Sequence, residues 1–289
     1  MNSTVLAEGI HFGEGPRWHL GRLWFSDFHD HAVKTVDADG TIETQLVIDD
    51  QPSGLGWLPD GRMLVVAMHQ RRVLRVEDDT VVVHADLGDV ATFHCNDMVV
   101  DRWGRAYVGN FGFDLDAAIS GGNFAGALAQ YEGATLAMVD TSGTVHSVAT
   151  GLRFPNGTVL TPDGGTLVVA ETLGRRLTAF DVGIDGTLTN QRIWADLGRA
   201  APDGMCLDSD GAIWVADATG NRCIRVREGG EVLQVVETTQ PCYACMLGGP
   251  DGRTLYMLTA ESSLPAIAGS RRTGRIEVCT APAAHAGRP

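Results

Sequence analysis

Positive charge is scarce in this sequence, and lysine is almost absent from it. The 289 residues include 36 aspartates and glutamates against 22 lysines and arginines, which gives a net charge of −14, and Lys34 is the one lysine. Schiff-base and P-loop chemistries depend on a lysine at the site, so the sequence argues against both. Nucleic acids and anionic membranes attract basic patches, so we expect neither as a partner, but a small-molecule substrate instead.

Long apolar runs and a cysteine framework are also missing. No stretch approaches the ~20 apolar residues of a membrane span, and residues 1–16 have neither the basic nor the apolar region of a secretory signal. The six cysteines are scattered, and the Cys242-x-x-Cys245 pair has no second Cys/His pair nearby that would complete a zinc site. We therefore expect a cytoplasmic protein with reduced thiols.

What the sequence does contain is a repeat. Six turns lead into short β-prone runs, and their glycines are Gly21, Gly61, Gly104, Gly164, Gly211 and Gly252. The spacings of 40, 43, 60, 47 and 41 residues match the length of a four-stranded propeller blade. Apolar and polar residues alternate between Asp-Gly turns, and no stretch sustains a 3.6-residue apolar period. The pattern predicts an all-β fold, a six-bladed β-propeller of four-stranded blades, as a single domain over residues 1–280.

The two ends of the repeat and its one long spacing carry further expectations. The last unit supplies only three strands, and the segment 4–10 can pair with it as the outer strand, which closes the ring and removes an exposed edge. The long spacing contains an insertion at 113–134, which we expect to emerge over the polar ring as a lid. The tail 281–289 is expected to be disordered.

One register of the repeat carries oxygen-bearing side chains. Counting back eight residues from the last five turn glycines, and seven from the first, gives Glu14, Ser53, Asn96, Asn156, Asp203 and Ala244. In a closed ring these side chains converge on the axis, where two carboxylates and two amides suit a hard divalent cation. Each residue alone could be a turn former, but the shared offset favours a metal site. Ca²⁺ is the first candidate, with Mg²⁺, Mn²⁺, Zn²⁺ and Fe²⁺ as alternatives.

Several motifs resemble those of the regucalcin, gluconolactonase and luciferin-regenerating enzyme family (the senescence-marker-protein type) along nearly the whole chain. They are GEGPRW, HCNDM with VDRWGRAYVGN, LRFPNGTVLTPDG and APDGMCLDSDGAIWVAD. The resemblance implies one divalent metal in the central channel, held by Glu14, Asn156 and Asp203, with Asn96 touching metal or substrate. It also implies a lactonase, although related propellers hydrolyse phosphorus esters. Sugar-lactone members usually carry arginine where this chain has His94, so the substrate is not carried over.

The chemistry favoured by these residues is the metal-dependent opening of a small lactone. The cation would polarise the carbonyl, and Asp203 would take a proton from the attacking water or only orient it. His94 is a second catalytic candidate, as an acid or base or as a hydrogen-bond donor. The substrate-binding candidates are His94 and Asn96, from the HCNDM motif, together with His69, Asn110 and Glu171, which belong to loops that leave second strands on the same face. Two alternatives stay open, namely hydrolysis of a phosphotriester or cyclic amide and a non-catalytic metal- or ligand-binding propeller.

Overall fold

Six separate four-stranded antiparallel sheets make up the computed structural model, which describes residues 1–78 and 80–288. The strands of blades one to three are, with the N-terminal strand first, β1 (Thr4–Ile10), β2 (Gly13–His19), β3 (Arg22–Asp27), β4 (Ala32–Val36), β5 (Ile42–Val47), β6 (Pro52–Trp57), β7 (Met63–Ala67), β8 (Arg72–Glu77), β9 (Thr80–Asp86), β10 (Cys95–Val100), β11 (Ala106–Asn110), β12 (Ala134–Val139) and β13 (Val145–Leu152). Those of blades four to six are β14 (Pro155–Leu160), β15 (Thr166–Glu171), β16 (Arg176–Val182), β17 (Leu188–Asp196), β18 (Pro202–Leu207), β19 (Ile213–Asp217), β20 (Arg222–Val226), β21 (Val232–Glu237), β22 (Cys242–Gly248), β23 (Thr254–Thr259) and β24 (Gly274–Thr280).

Ring closure follows the arrangement predicted from the sequence. The last sheet has the order β1-β24-β23-β22, so the N-terminal strand is the outer strand of blade six. Pairing of β1 with β24 covers the edge of β24 and gives blade six its fourth strand. The prediction of a six-bladed β-propeller closed by the N-terminal strand is confirmed.

Burial falls from the axis of the ring to its rim. The inner strands β10, β14, β18 and β22 are buried along their whole length, whereas the outer strands β5 and β17 are largely exposed. Apolar clusters fill the spaces between neighbouring blades, as Val66 and Val108 do between blades two and three. All six cysteines are free, which agrees with the expected reduced thiols.

Besides a 3-10 turn at Phe28–Asp30, three short α-helices interrupt the strands within residues 1–78 and 80–288. They are α1 (Leu115–Ser120) and α2 (Phe124–Gln130), both within the insertion at 113–134, and α3 (Pro265–Ala268), between the last two strands of blade six. The side chain of Asp114 caps α1 by accepting a hydrogen bond from the Ala117 N–H at 2.9 Å. None of the helices in the described part of the chain has the length and apolar character needed to cross a bilayer.

The tail is ordered by hydrogen bonds to the ends of inner strands, which differs from the disorder expected from its composition. The Ala286 N–H donates to the Leu207 carbonyl at 2.9 Å, and Leu160 and Arg288 exchange backbone hydrogen bonds of 2.6 and 3.0 Å. Leu207 and Leu160 end β18 and β14, which are the first strands of their sheets and therefore have one edge without a neighbouring strand. Residues 281–288 therefore cross one face of the ring, and the final residue of the expected tail lies outside the described residues.

Candidate active site

Four oxygen-bearing side chains occupy the same position of four inner strands. Glu14, Asn96, Asn156 and Asp203 are the second residues of β2, β10, β14 and β18. Their exposed fractions are 7, 6, 4 and 7%. Because the inner strands lie side by side around the axis, the four side chains line one cavity. The structure thus brings together all four residues that the register and the family resemblance single out.

Glycines next to these donors let the inner strands approach closely. A Cβ at Gly157 would lie 2.4 Å from the Asp203 carbonyl oxygen, and one at Gly204 would lie 2.7 Å from the Cα of Ala244. Both distances are shorter than any real contact, so only glycine fits. The Asn-Gly and Asp-Gly pairs at these positions are therefore strand residues packed against the next blade, not turns.

The two amides belong to a chain of hydrogen bonds around the axis. Asn96 accepts from the Ser53 hydroxyl at 3.3 Å and donates through Nδ2 to Asn156 Oδ1 at 2.9 Å. Asn156 in turn donates through Nδ2 to the Thr172 hydroxyl at 3.1 Å. This orientation places both amide oxygens as acceptors, and each keeps a second lone pair for another partner.

The two carboxylates are in an environment that disfavours their charged forms. Burial, followed by the negative charges of Asp203 and Asp97, raises the pKa of Glu14 well above its usual value. Burial and the charge of Asp97 also raise the pKa of Asp203. Asp203 Oδ1 is buried without a hydrogen-bond partner. A buried carboxylate oxygen of this kind needs a cation or a proton to offset its desolvation.

The third acid near the axis already has a counterion. Asp97 Oδ1 lies 2.9 Å from an Arg17 nitrogen, and the two side chains are 5 and 4% exposed. Arg17 also donates to the Met98 carbonyl, which holds its guanidinium within the channel. The charge of Asp97 is therefore balanced by Arg17. Of the three acids near the axis, Glu14 and Asp203 have no cationic side-chain partner among the described residues.

The cavity above these donors has a volume of about 290 Å³. It is lined by the four donors and by Phe12, Phe28, His29, Gln51, Met68, His69, His94, Phe111, Leu115, Asp116, Phe154, Thr172, Ala218, Thr219, Tyr243, Ser263 and Pro265. Leu115 and Asp116 come from the insertion at 113–134, which therefore reaches the cavity on the face where a lid was expected. Ser263 and Pro265 come from the segment around α3, which the sequence did not single out.

Two histidines predicted to meet substrate line the cavity together. The ring centroids of His69 and His94 are 4.3 Å apart, and His69 Nδ1 lies 3.1 Å from Asp50 Oδ1. Burial and then the neighbouring His69 lower the pKa of His94 to about 4. His94 is therefore a neutral imidazole near pH 7, with one nitrogen able to donate and one able to accept.

Asn110 and Glu171, which the sequence also suggested as substrate ligands, do not line the cavity. They end β11 and β15, are 1 and 0% exposed, and point into their blades. Asn110 donates to the Thr135 carbonyl at 2.7 Å. Successive residues of a strand face opposite ways, so it is the following residues, Phe111 and Thr172, that meet the cavity. The substrate-binding assignment of Asn110 and Glu171 is therefore corrected.

Acids at the last position of the second strand of a blade instead bind the backbone of the loops that lead into inner strands. The hydrogen bonds run from the backbone N–H of Phe12 to Asp27, of Arg153 to Glu171 and of Ala201 to Asp217, at 3.1, 2.7 and 3.0 Å. Their cationic partners are Lys34, Arg176 and Arg222. The three strands that follow these loops, β2, β14 and β18, carry Glu14, Asn156 and Asp203. The ion-paired acids therefore hold in place the loops directly before the strands of these three donors.

The sixth member of the register is Tyr243 and not the Ala244 obtained by counting. Cys242 pairs with Thr259 as Pro202 pairs with Asp217, so Tyr243 corresponds to Asp203. Blade six has one more residue before its turn glycine, which shifts the count by one. Tyr243 lines the cavity, and burial raises the pKa of its phenol to about 12.

The donor set fits a hard divalent cation that has four oxygen ligands from the protein. The unpartnered Asp203 Oδ1, the Glu14 carboxylate and the free lone pairs of two amide oxygens are the ligand types that Ca²⁺ prefers. In residues 1–78 and 80–288, no group of three or more His, Cys, Asp and Glu side chains is arranged to hold a metal. A cation here would therefore depend on Asn96 and Asn156 as well as on the two acids.

Comparison with known proteins gives relatives that span the whole propeller. The chain is 29% identical to pentonolactonase XacC of Haloferax volcanii over 269 residues, covering 89% of this chain and 84% of that protein. Among solved structures, a luciferin-regenerating enzyme superposes with a TM-score of 0.80 at 20% identity, over 97% of this chain and 95% of the other. A calcium-binding protein, regucalcin, from Agrobacterium tumefaciens superposes with a TM-score of 0.78 at 21% identity, over 100% and 95%.

Residues 12–261 match the family described as the SMP-30/Gluconolactonase/LRE-like region. This match includes all four donors and every residue of the cavity wall except Ser263 and Pro265, and it agrees with the resemblance stated from the motifs. The chain belongs to the SMP-30/gluconolactonase/LRE-like family.

Proposed function

We propose that this protein hydrolyses lactones with a divalent cation, Ca²⁺ first, held by Glu14, Asn96, Asn156 and Asp203. The observation that carries the proposal is the pair of buried acids at the base of the cavity, one of them with an unpartnered oxygen. The 29% identity to a pentonolactonase over 89% of the chain supports the reaction class. When bound, the cation would polarise the lactone carbonyl and offset negative charge on its oxygen.

Asp203 moves the proton in this scheme. Its carboxylate accepts a proton from water as the water oxygen bonds to the carbonyl carbon. The bond from that carbon to the ring oxygen then breaks, and the ring oxygen takes the proton back from Asp203. Lactone and water give one hydroxy acid, and Asp203 returns to its starting form. Neutral His94, on the wall of the same cavity, donates a hydrogen bond to a substrate oxygen.

The test compares two buried acids of blade five. Asp203→Asn keeps an oxygen ligand but cannot act as a base, so we expect a 10²–10⁴-fold loss of kcat, with Ca²⁺ still bound in calorimetry. Asp208 is 1% exposed at the other end of the same inner strand, where it pairs with Arg225. Asp208→Asn should therefore leave kcat within about threefold of the unmodified protein, since the acid is remote from the site.

Removal of the cation distinguishes a metal-dependent lactonase from a hydrolase of another substrate class and from a non-catalytic binding protein. Hydrolysis should stop with a chelator and return with added Ca²⁺, because the carbonyl then loses its electrophilic partner. Full activity of Asp203→Asn, or lactone opening that a chelator leaves unchanged, would refute the proposal. A cation-bound protein that opens no lactone but cleaves phosphotriesters, or cleaves neither, would point to the alternative hydrolase or to a binding protein.

A further inference from the structure

Apolar side chains from every blade line the cavity above the four donors. The contributors are, from blades one to six, Phe28, Met68, Phe111, Phe154, Ala218 and Tyr243. We call these six side chains the apolar collar. Four of them, Phe28, Met68, Phe111 and Ala218, directly follow the second strand of their blade, so one position of the repeat builds most of the collar.

The aromatic rings of the collar are held in place by one another. Phe111 and Phe154 have centroids 4.6 Å apart. On the other side, Phe12 lies 5.3 Å from Phe28 and 4.8 Å from Tyr243. All but Phe111 are less than 10% exposed. Rings fixed in this way form the apolar surface before a ligand arrives, so an apolar substituent could bind without a cost of ordering the wall.

The charges on the wall argue against an anionic substrate. Among the described residues that line the cavity there is no lysine or arginine. Its ionisable acids are Glu14, Asp203 and Asp116, and the last of these comes from the insertion at 113–134. Even where the cation balances Glu14 and Asp203, a phosphate, sulfonate or carboxylate group on the substrate would find Asp116 on the wall and no guanidinium or ammonium group to receive it.

Besides the four donors and Asp116, the polar residues of the wall are His29, Gln51, His69, His94, Thr172, Thr219 and Ser263, and the hydroxyls of the two threonines are not free for a polyhydroxylated substrate. The hydroxyl of Thr172 donates to the Pro202 carbonyl at 2.7 Å, and that of Thr219 donates to Asp217 at 3.0 Å. These donors are therefore already used within the protein. Substrate hydroxyls buried against the apolar collar would lose their hydrogen bonds to water without replacement, which costs binding energy for each group.

We infer that the substrate is a neutral lactone whose ring carries an alkyl or aryl substituent, with the substituent packed against the apolar collar. The inference rests on the proposed lactonase activity and concerns only what surrounds the reacting ester. It distinguishes this site from one that takes sugar lactones, which are polyhydroxylated.

The first experiment compares δ-lactones of the same ring size with the Ca²⁺-loaded protein. δ-Decalactone and dihydrocoumarin carry apolar groups, glucono-δ-lactone carries hydroxyls, and its 6-phosphate adds a charge. We expect kcat/KM, corrected for spontaneous opening, to be at least about tenfold higher for the two apolar lactones. An equal or higher value for glucono-δ-lactone or its phosphate would overturn the inference and leave the lactonase proposal standing. If none of the four opens, the proposed function itself fails.

The second experiment tests the collar with a matched pair of phenylalanines. Phe111 lines the cavity, whereas Phe113 packs against Tyr131 with ring centroids 4.8 Å apart and does not line it. Phe111→Ser should raise KM for δ-decalactone about tenfold and change KM for glucono-δ-lactone little, because only the former loses an apolar contact. Phe111→Leu should recover most of the loss, and Phe113→Ser should leave both substrates within about twofold. A parallel loss for both lactones in folded Phe111→Ser would contradict the role of the collar.

Discussion

At the scale of single residues, the site is a balance of buried charges. Three acids lie near the axis, and Arg17 neutralises one of them, Asp97. The other two, Glu14 and Asp203, raise the cost of each other's charge, since burial and neighbouring negative charge both favour their protonated forms. A divalent cation would remove this cost by balancing two negative charges at once. Charge matching therefore favours one divalent ion over a monovalent one.

This balance predicts a pH dependence of stability when no cation is bound. The folded protein holds a proton on Glu14 to higher pH than the unfolded chain does, because burial raises the pKa of Glu14. The free energy of unfolding should therefore fall as pH rises above about 4, by up to about 1.4 kcal/mol per pH unit for each retained proton. Glu14→Gln should flatten this slope, as measured by urea unfolding in a chelator between pH 5 and 7.5. Identical slopes for Glu14→Gln and the unmodified protein would contradict the prediction.

At the scale of elements, ion-paired acids at the ends of second strands hold the loops that lead into three of the inner strands. Asp217, at the end of β19, accepts the Ala201 N–H directly before β18 and pairs with Arg222 at 2.9 Å. The same arrangement precedes β2 and β14, two of the three other strands that carry candidate ligands. A ligand set needs donors fixed to a fraction of an ångström, and second-layer hydrogen bonds of this kind supply that precision.

Loss of one such acid should weaken cation binding without touching the cavity. Asp217→Asn removes the charge that pairs with Arg222, so we expect a loss of about 1–3 kcal/mol in stability and roughly 10-fold weaker Ca²⁺ binding by calorimetry. Asp208→Asn is the matched control, because Asp208 is also buried, pairs with Arg225 and belongs to the same blade. It should lose comparable stability and keep its Ca²⁺ affinity. Equal affinity losses in the two variants would argue for general damage to blade five.

At this same scale, the repeat register predicted some residues of the site correctly and missed others. The repeat register located Glu14, Asn96, Asn156 and Asp203 because a propeller places equivalent residues at equivalent depth. It missed Tyr243, since one extra residue in blade six cannot be seen without the strand pairing. Glu171 was taken for a cavity residue because the count could not tell the two faces of a strand end apart. Counting residues along the repeat therefore predicts where a strand lies, but it does not predict which way a side chain at the end of that strand points.

At the scale of the whole molecule, the ring is held at its rim and across one face. β1 completes blade six at the rim, while residues 281–288 cross the ends of inner strands. The donors lie at the beginnings of those strands, so the tail lies on the face opposite the cavity. The position of this segment at the end of the chain suggested disorder, because the backbone hydrogen bonds that order it depend on strands distant in sequence.

Removal of the tail should therefore lower the stability of the protein and leave its activity unchanged. A variant that ends at Thr280 loses the backbone hydrogen bonds to Gly252, Leu207 and Leu160. At about 0.5–1.5 kcal/mol for each of these four bonds, the free energy of unfolding should fall by about 2–6 kcal/mol in urea titrations. Because the cavity lies at the other end of the inner strands, Ca²⁺ affinity and kcat/KM should stay within about twofold at 20 °C. Unchanged stability would mean that the tail does not hold the ring, and lost Ca²⁺ affinity in a stably folded variant would mean that the two faces are coupled through the inner strands.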